Sequence, residues 1–270
     1  MEWKNIYRGL LMGTSDVIPG VSGGTIAVLL GIYERLIAAI NGLTSKDWKK
    51  QLGFLIPLGI GVGTAILLLS HVISWLFEHY PGPTKFFFLG LIIGVLPYLF
   101  HKSDAKNTFN AKHIVILLVG AVVVGSLMIF QTSEGASIEN ITTSTYILLF
   151  FSGMIASSAM ILPGISGSFM LYVIGVYTTV IGAVENMQLD IIAVTGTGIV
   201  IGLVVMTKII NYFLNQYYTG TFALIIGMVI GSVFVVFPGW PGDMAGMILS
   251  VVTFGLGLAA AYLLGKVEYE

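Results

Sequence analysis

The chain has 270 residues, of which 56% are hydrophobic and only 9% charged, and its mean hydropathy is +0.96. Soluble domains carry roughly 25% charged residues, so this composition excludes one and predicts a polytopic, all-α membrane protein. A net charge of −1 excludes a polybasic nucleic-acid binder, and the absence of cysteine excludes disulfides, thiolate metal sites and cysteine catalysis.

In chain order, hydrophobic segments at about 5–18 and 22–40 flank a break at Pro19-Gly20. Three runs follow near 53–77, 85–100 and 113–130. A polar linker, 131–145, carries Glu134 and Glu139 and no basic residue. Segments at about 146–161 and 165–184 flank a second break at Pro163-Gly164, and runs near 191–214, 221–237 and 245–265 complete the chain. No cleaved signal peptide is expected, because the first segment runs straight into the break and lacks a small-residue cleavage site.

The two breaks repeat one string. Pro19-Gly20-Val21-Ser22-Gly23-Gly24-Thr25, with Gly31-Ile32-Tyr33 beyond it, returns as Pro163-Gly164-Ile165-Ser166-Gly167-Ser168, with Gly175-Val176-Tyr177 beyond it, at a constant offset of 163 − 19 = 144 residues. Gly59/Gly196, Gly61/Gly198, Gly90/Gly227 and Gly94/Gly231 repeat at an offset of 196 − 59 = 137. The spacing predicts one transmembrane domain, 1–270, built from two units at about 1–131 and 145–270. Repeated breaks in the hydrophobic segments of both halves point to a transporter's binding site.

A spanning helix needs about 20 residues, so segment 5–18 is too short to cross. Loops 41–52 (Lys46, Lys49, Lys50) and 101–112 (Lys102, Lys106, Lys112) are basic, whereas the linker and loop 185–190 (Glu185, Asp190) are acidic. The positive-inside rule then puts the first two loops and both termini in the cytoplasm and the last two loops outside. That requires each Pro-Gly pair to enter and leave on one side. Each unit is therefore expected to be a re-entrant helical hairpin plus three transmembrane helices. Three crossings invert one unit relative to the other, so the hairpin tips should meet near the bilayer midplane.

Each tip is also the start of a helix, where free N–H groups and about half a positive charge collect. Ser22, Gly23, Gly24 and Thr25, facing Ser166, Gly167 and Ser168, should form an anion site for phosphate or carboxylate. The other reading is that the breaks only let short helices pack. Among ionisable groups near membrane depth, Asp16 lies one turn before Pro19, and Glu34 and Arg35 follow Tyr33 and are candidates to pair with each other or with Lys or Arg elsewhere. Arg8 is expected to snorkel, and Lys208 and His71 share the 137-residue offset within spans. Gly196-Thr197-Gly198 and Gly59-Ile60-Gly61 resemble dinucleotide loops but lie in hydrophobic spans, where helix packing explains them. No catalytic, metal or cofactor motif is present, so none is assigned.

The paired motifs, Asp16-x-x-Pro19-Gly20-Val21-Ser22-Gly23-Gly24-Thr25 with Gly31-x-Tyr33-Glu34, and Ile161-Leu162-Pro163-Gly164-Ile165-Ser166-Gly167-Ser168 with Gly175-Val176-Tyr177, resemble the PopT family of bacterial polyprenyl-phosphate transporters. The resemblance covers nearly the whole chain. It implies return of undecaprenyl phosphate, the lipid carrier of cell-wall (peptidoglycan) synthesis, from the outer to the cytoplasmic leaflet of the plasma membrane. A phosphate monoester carries about −1.5 to −2 charges, more than helix dipoles neutralise, so a counter-charge is expected from Arg35, or from Arg8 or Lys208. Inward movement of the anion opposes an inside-negative potential at about 2.3 kcal/mol per charge per 100 mV, which favours proton coupling through Asp16 or Glu34. An oligomer stays open. So do a carrier of small soluble anions and a membrane undecaprenyl-pyrophosphate phosphatase. Such phosphatases place an Arg after the tip serine, where this chain has Gly23 and Gly167.

Overall fold

The computed structural model describes residues 1–16, 22–130, 138 and 141–269, and all regular structure among them is helical. Helices α1 (Asn5–Asp16), α2 (Gly23–Leu29) and α3 (Tyr33–Gly42) precede α4 (Trp48–His79), α5 (Pro81–Lys102), the single turn α6 (Ala105–Thr108) and α7 (Ala111–Ser126). The order then returns without a counterpart of α6: α8 (Thr143–Ile161), α9 (Gly167–Ile174), α10 (Tyr177–Glu185), α11 (Leu189–Gln216), α12 (Tyr218–Val236) and α13 (Met244–Tyr269). Seven helices among the described residues are long and apolar enough to cross a membrane. Six match the expected spans; the seventh is α8, whose counterpart α1 has only 12 residues.

The run at 22–40 is not one straight helix. It breaks into α2 and α3 with a bend of 119°, and α9 and α10 bend by 116°. The cause is the repeated glycine. Gly31 (φ +66°) and Gly175 (φ +83°) adopt the left-handed conformation. The N–H after each glycine reaches back to close the finished helix, Ile32 to the Ala27 carbonyl and Val176 to that of Leu171, both at 3.0 Å.

Four helix pairs dominate the packing: α1 with α4, α8 with α11, α5 with α13 and α7 with α12. The contact points recur at the sequence offsets. A Cβ on Gly61 would lie 2.1 Å from the Ile6 carbonyl oxygen, and one on Gly198 would lie 2.1 Å from that of Phe150. A Cβ on Gly90 would lie 2.2 Å from the Phe254 oxygen, and one on Gly227 would lie 2.0 Å from that of Leu117. These backbones touch because a glycine stands at each crossing. The pairing also exchanges partners: α7 packs on α12, and α13 packs on α5. Helices α5 and α12 form the interior, 50% and 61% buried, while α7 and α13 are 11% and 17% buried.

One end of the bundle collects the chain's cations. The Glu2 N–H bonds the Gly53 carbonyl, Arg8 pairs with Glu268, and Lys102 pairs with Glu34, so both termini, the start of α4 and the end of α5 lie together. Tyr218 reaches the same Glu34, which brings the α11–α12 turn there as well. The start of α8 lies instead beside the start of α11, through a hydrogen bond from Tyr146 to Asp190.

Candidate functional site

Helix α2 has seven residues, all buried, and is too short to persist unaided. Its N-terminus is held from three directions. The Ser22 hydroxyl accepts from the Gly24 N–H at 3.1 Å and lies 3.2 and 3.3 Å from the carbonyl oxygens of Met160 and Leu162, to which it donates. The Thr25 hydroxyl oxygen accepts from the Gly164 N–H at 2.9 Å. Asp16 Oδ1 accepts from the Gly23 N–H at 2.7 Å. A Cβ on Gly23 would lie 2.6 Å from Asp16 Oδ2, so any other residue there would force the carboxylate to shift. Oδ2 itself is buried with no hydrogen-bond partner among the described residues.

The other tip is built alike. Ser166 caps α9 by accepting from the Phe169 N–H at 3.5 Å, and its hydroxyl lies 2.8 Å from that of Ser168. A Cβ on Gly167 would meet the Ala156 carbonyl oxygen at 2.8 Å. Gly164, at φ +86°, packs against the Met228 carbonyl. The Ser22 and Thr25 hydroxyls therefore tie the start of α2 to the end of α8 and the turn that follows it. Pro19, Gly20 and the His71 side chain lie outside the described residues, whereas Pro163 and Gly164 form the turn between α8 and α9.

The expected cations sit elsewhere. Arg8 donates to Glu268 through Nε (3.0 Å) and Nη2, and to Asn5 through Nη1 (2.9 Å). Burial alone would raise the Glu268 carboxyl, but hydrogen bonds from Arg8 and Tyr7 and the Arg8 charge outweigh it and hold the group below its usual range. Arg35 donates to Gln51 at 2.7 Å, lies 3.9 Å from Glu2 and stacks over the Phe54 ring. Glu34 does not pair with the adjacent Arg35. Neighbours on one helix point about 100° apart, and Glu34 turns instead to Lys102, 2.6 Å away. Lys208 is exposed along α11, with no carboxylate within ion-pair distance among the described residues. No cluster of metal-binding side chains occurs among the described residues.

A cavity of about 690 Å³ lies between α7, α11 and α12. Its inner wall includes Leu162 and Met228, next to the second tip, and its outer wall includes Lys112, His113 and Tyr217 at helix ends. Tyr33 also lines it and is 3% exposed, its hydroxyl buried without a partner among the described residues. The place of Tyr33 in the repeated Gly-x-Tyr string was the one signal of it in the sequence.

Residues 12–253 match the family model described as VCA0040-like, undecaprenyl phosphate translocase-like. The chain is 43% identical to a Staphylococcus aureus protein named polyprenyl-phosphate transporter, over all of this chain and 98% of that one. It is 37% identical to a Vibrio cholerae protein of the same name, over 88% of this chain and 79% of the relative. No solved structure matches it significantly.

Proposed function

The chain belongs to the undecaprenyl phosphate translocase-like family, and on that premise we propose that it carries a polyprenyl phosphate across the bacterial plasma membrane, from the outer to the cytoplasmic leaflet. The observation that carries this reading is the 43% identity along the whole chain to a protein named for that activity. A transporter rather than a phosphatase also agrees with Gly23 and Gly167 standing after the two tip serines.

In this reading the two units are inverted repeats, each a re-entrant hairpin and three spans, with both termini cytoplasmic. The recurrent glycine contacts and the opposite ends at which α1 and α8 begin support it. In this reading the phosphate passes between the tips and is held by Ser22, Gly23, Gly24 and Thr25 of one and Ser166, Gly167 and Ser168 of the other, a reading supported by the bonds of Ser22 and Thr25 to the end of α8 and the turn after it. An arriving anion must take over donors that the protein now satisfies itself, above all the Gly23 N–H held by Asp16. A neutral carboxylic acid is a poorer acceptor than a carboxylate, so proton uptake at Asp16 would release that N–H to the substrate. Proton movement and headgroup movement are then coupled by competition for one helix start. Arg8, Arg35 and Glu34 lie at the cationic end and serve the headgroup on leaving the tips, whereas Lys208 offers charge along α11.

The test is translocation of a polyprenyl phosphate into proteoliposomes under an imposed pH gradient. The wild type should show gradient-stimulated transport, Gly167→Val should block it, and Asp16→Asn should transport without responding to the gradient. Absence of polyprenyl-phosphate transport by folded wild-type protein overturns the reading. Equal gradient response in Asp16→Asn and wild type removes Asp16 from the coupling.

A further inference from the structure

We propose that the cavity between α7, α11 and α12 is a second lipid-phosphate subsite, distinct from the hairpin tips, in which the chain-proximal part of a polyprenyl phosphate lies with its headgroup against Lys112 and His113. The proposal rests on the transport reading above and adds where the lipid waits beside the protein.

Three observations carry it. The first is place. Lys112 and His113 begin α7, Gln216 ends α11 and Tyr217 joins it to α12, so one end of the cavity lies at the cationic end of the bundle. Its other end reaches Leu162 and Met228, and the Met228 carbonyl would stand 2.5 Å from a Cβ on Gly164 in the second tip. The cavity thus runs from a helix-end surface towards the tips, as a lipid of one leaflet runs from headgroup to midplane.

The second is the polarity gradient. No carboxylate lies within ion-pair distance of Lys112 among the described residues. The His113 Nδ1 accepts from the Asn110 N–H at 3.2 Å, which puts the neutral ring's proton on Nε2 as a donor. Two donors therefore stand where a phosphate would lie at the interface. Inward, the lining turns to Met206, Ile209, Ile210, Leu224 and Ile225. Ile209, Phe213 and Leu224 line the cavity and are 45%, 46% and 36% exposed, so it opens sideways onto the lipid-facing surface.

The third is the Tyr33 hydroxyl, buried on the wall without a partner among the described residues. Buried hydroxyls are ordinarily satisfied, so this one awaits a polar group that the described residues do not supply. A headgroup moving between the tips and the cationic end would supply it. Ligand sites commonly measure about 300–1,000 Å³. At about 690 Å³ the cavity holds the headgroup and the first isoprene units, leaving the rest of a long chain in the bilayer.

The test uses a diazirine-bearing polyprenyl phosphate with full-length protein in lipid nanodiscs, with adducts mapped by mass spectrometry. Adducts should fall on α7, α11 and α12 and drop about tenfold with excess unlabelled polyprenyl phosphate. Equal phosphatidylglycerol or inorganic phosphate should leave them unchanged. Leu224→Trp and Ile209→Trp fill the cavity from opposite walls, and each should remove the adducts. Lys112→Gln should weaken labelling by about the same tenfold factor. Competable adducts confined to the hairpins, or persisting in both Trp variants, overturn the subsite and leave the transport reading standing. Displacement by phosphatidylglycerol as effective as by polyprenyl phosphate overturns the assignment of the occupant. No competable adduct anywhere overturns the subsite and the substrate reading together.

Discussion

Asp16 and Ser22 divide one task between them, each satisfying an N–H at the start of a helix that would otherwise carry orphan donors. Asp16→Ala leaves the Gly23 N–H buried and unpaired, which costs about 1–3 kcal/mol. Asp16→Asn keeps an acceptor and should stay within about 1 kcal/mol of wild type. Denaturation in detergent separates the two. Equal loss in both variants would show that charge, rather than the hydrogen bond, holds α2. Ser22→Ala removes the cap and the bridge to Met160 and Leu162 together, so it should cost about 1–2 kcal/mol and slow transport as well. The tip residues were legible in the sequence because their string occurs twice. Their partners were not, because the acceptor of Ser22 lies 138 residues away and only folding brings it near. A second residue-level prediction concerns Glu268, whose folded carboxyl lies below its usual range. Its contribution to stability is complete above the unfolded value, near 4.5, and disappears as pH falls through the lower folded value. The gap in melting temperature between wild type and Glu268→Gln should therefore be full at pH 7 and close on acidification below about pH 4.5. A gap that does not change with pH would show that the carboxylate charge contributes nothing.

At the scale of helices, glycine position separates packing from mere composition. A Cβ on Gly61 or Gly198 would lie 2.1 Å from a neighbouring carbonyl oxygen, whereas a Cβ on Gly59 or Gly196 would meet nothing within 4 Å. Gly61→Ala and Gly198→Ala must push α4 from α1 and α11 from α8, at about 1–3 kcal/mol each. Gly59→Ala and Gly196→Ala should instead be neutral or stabilise by up to about 1 kcal/mol through helix propensity. Thermal melting of the four variants tests this, and equal effects at all four sites would refute the close-crossing account. The long spans were legible from hydropathy alone, since each is a continuous apolar run. The bends were half legible. Gly31 and Gly175 stood out by repetition, but a hydrophobic run does not report a left-handed residue inside it. The exchange of α7 and α13 between halves left no local trace, because an apolar helix of small and branched residues fits several neighbours. The cavity was hidden for the same reason: its walls come mainly from α7, α11 and α12, each of ordinary composition, with Tyr33 of α3 and Leu162 added by folding.

Across the whole molecule, charge and fold agree on one axis. Lys4, Arg8 and Arg35 join Lys46, Lys49, Lys50, Lys102, Lys106, Lys112 and Lys266 at the end where both termini meet, leaving Lys85 and Lys208 apart. Loop lysines follow the cytoplasmic side because translocating them is unfavourable, so this end should face the cytoplasm. Asp190, at the start of α11, then faces outside with the start of α8. A reversed orientation would reverse the direction in which the cavity faces. The chain has no cysteine, so single cysteines report cleanly. Lys106, in α6, and Asn186, just after α10, are both exposed and lie at opposite ends. In intact cells an impermeant maleimide should label Asn186→Cys and leave Lys106→Cys untouched until the membrane is opened. Labelling of both from outside would mean that the chain inserts in two orientations. Labelling of Lys106→Cys alone would invert the axis, placing the Lys112 and His113 end of the cavity on the outer leaflet and making it an entry site for the lipid rather than its point of release.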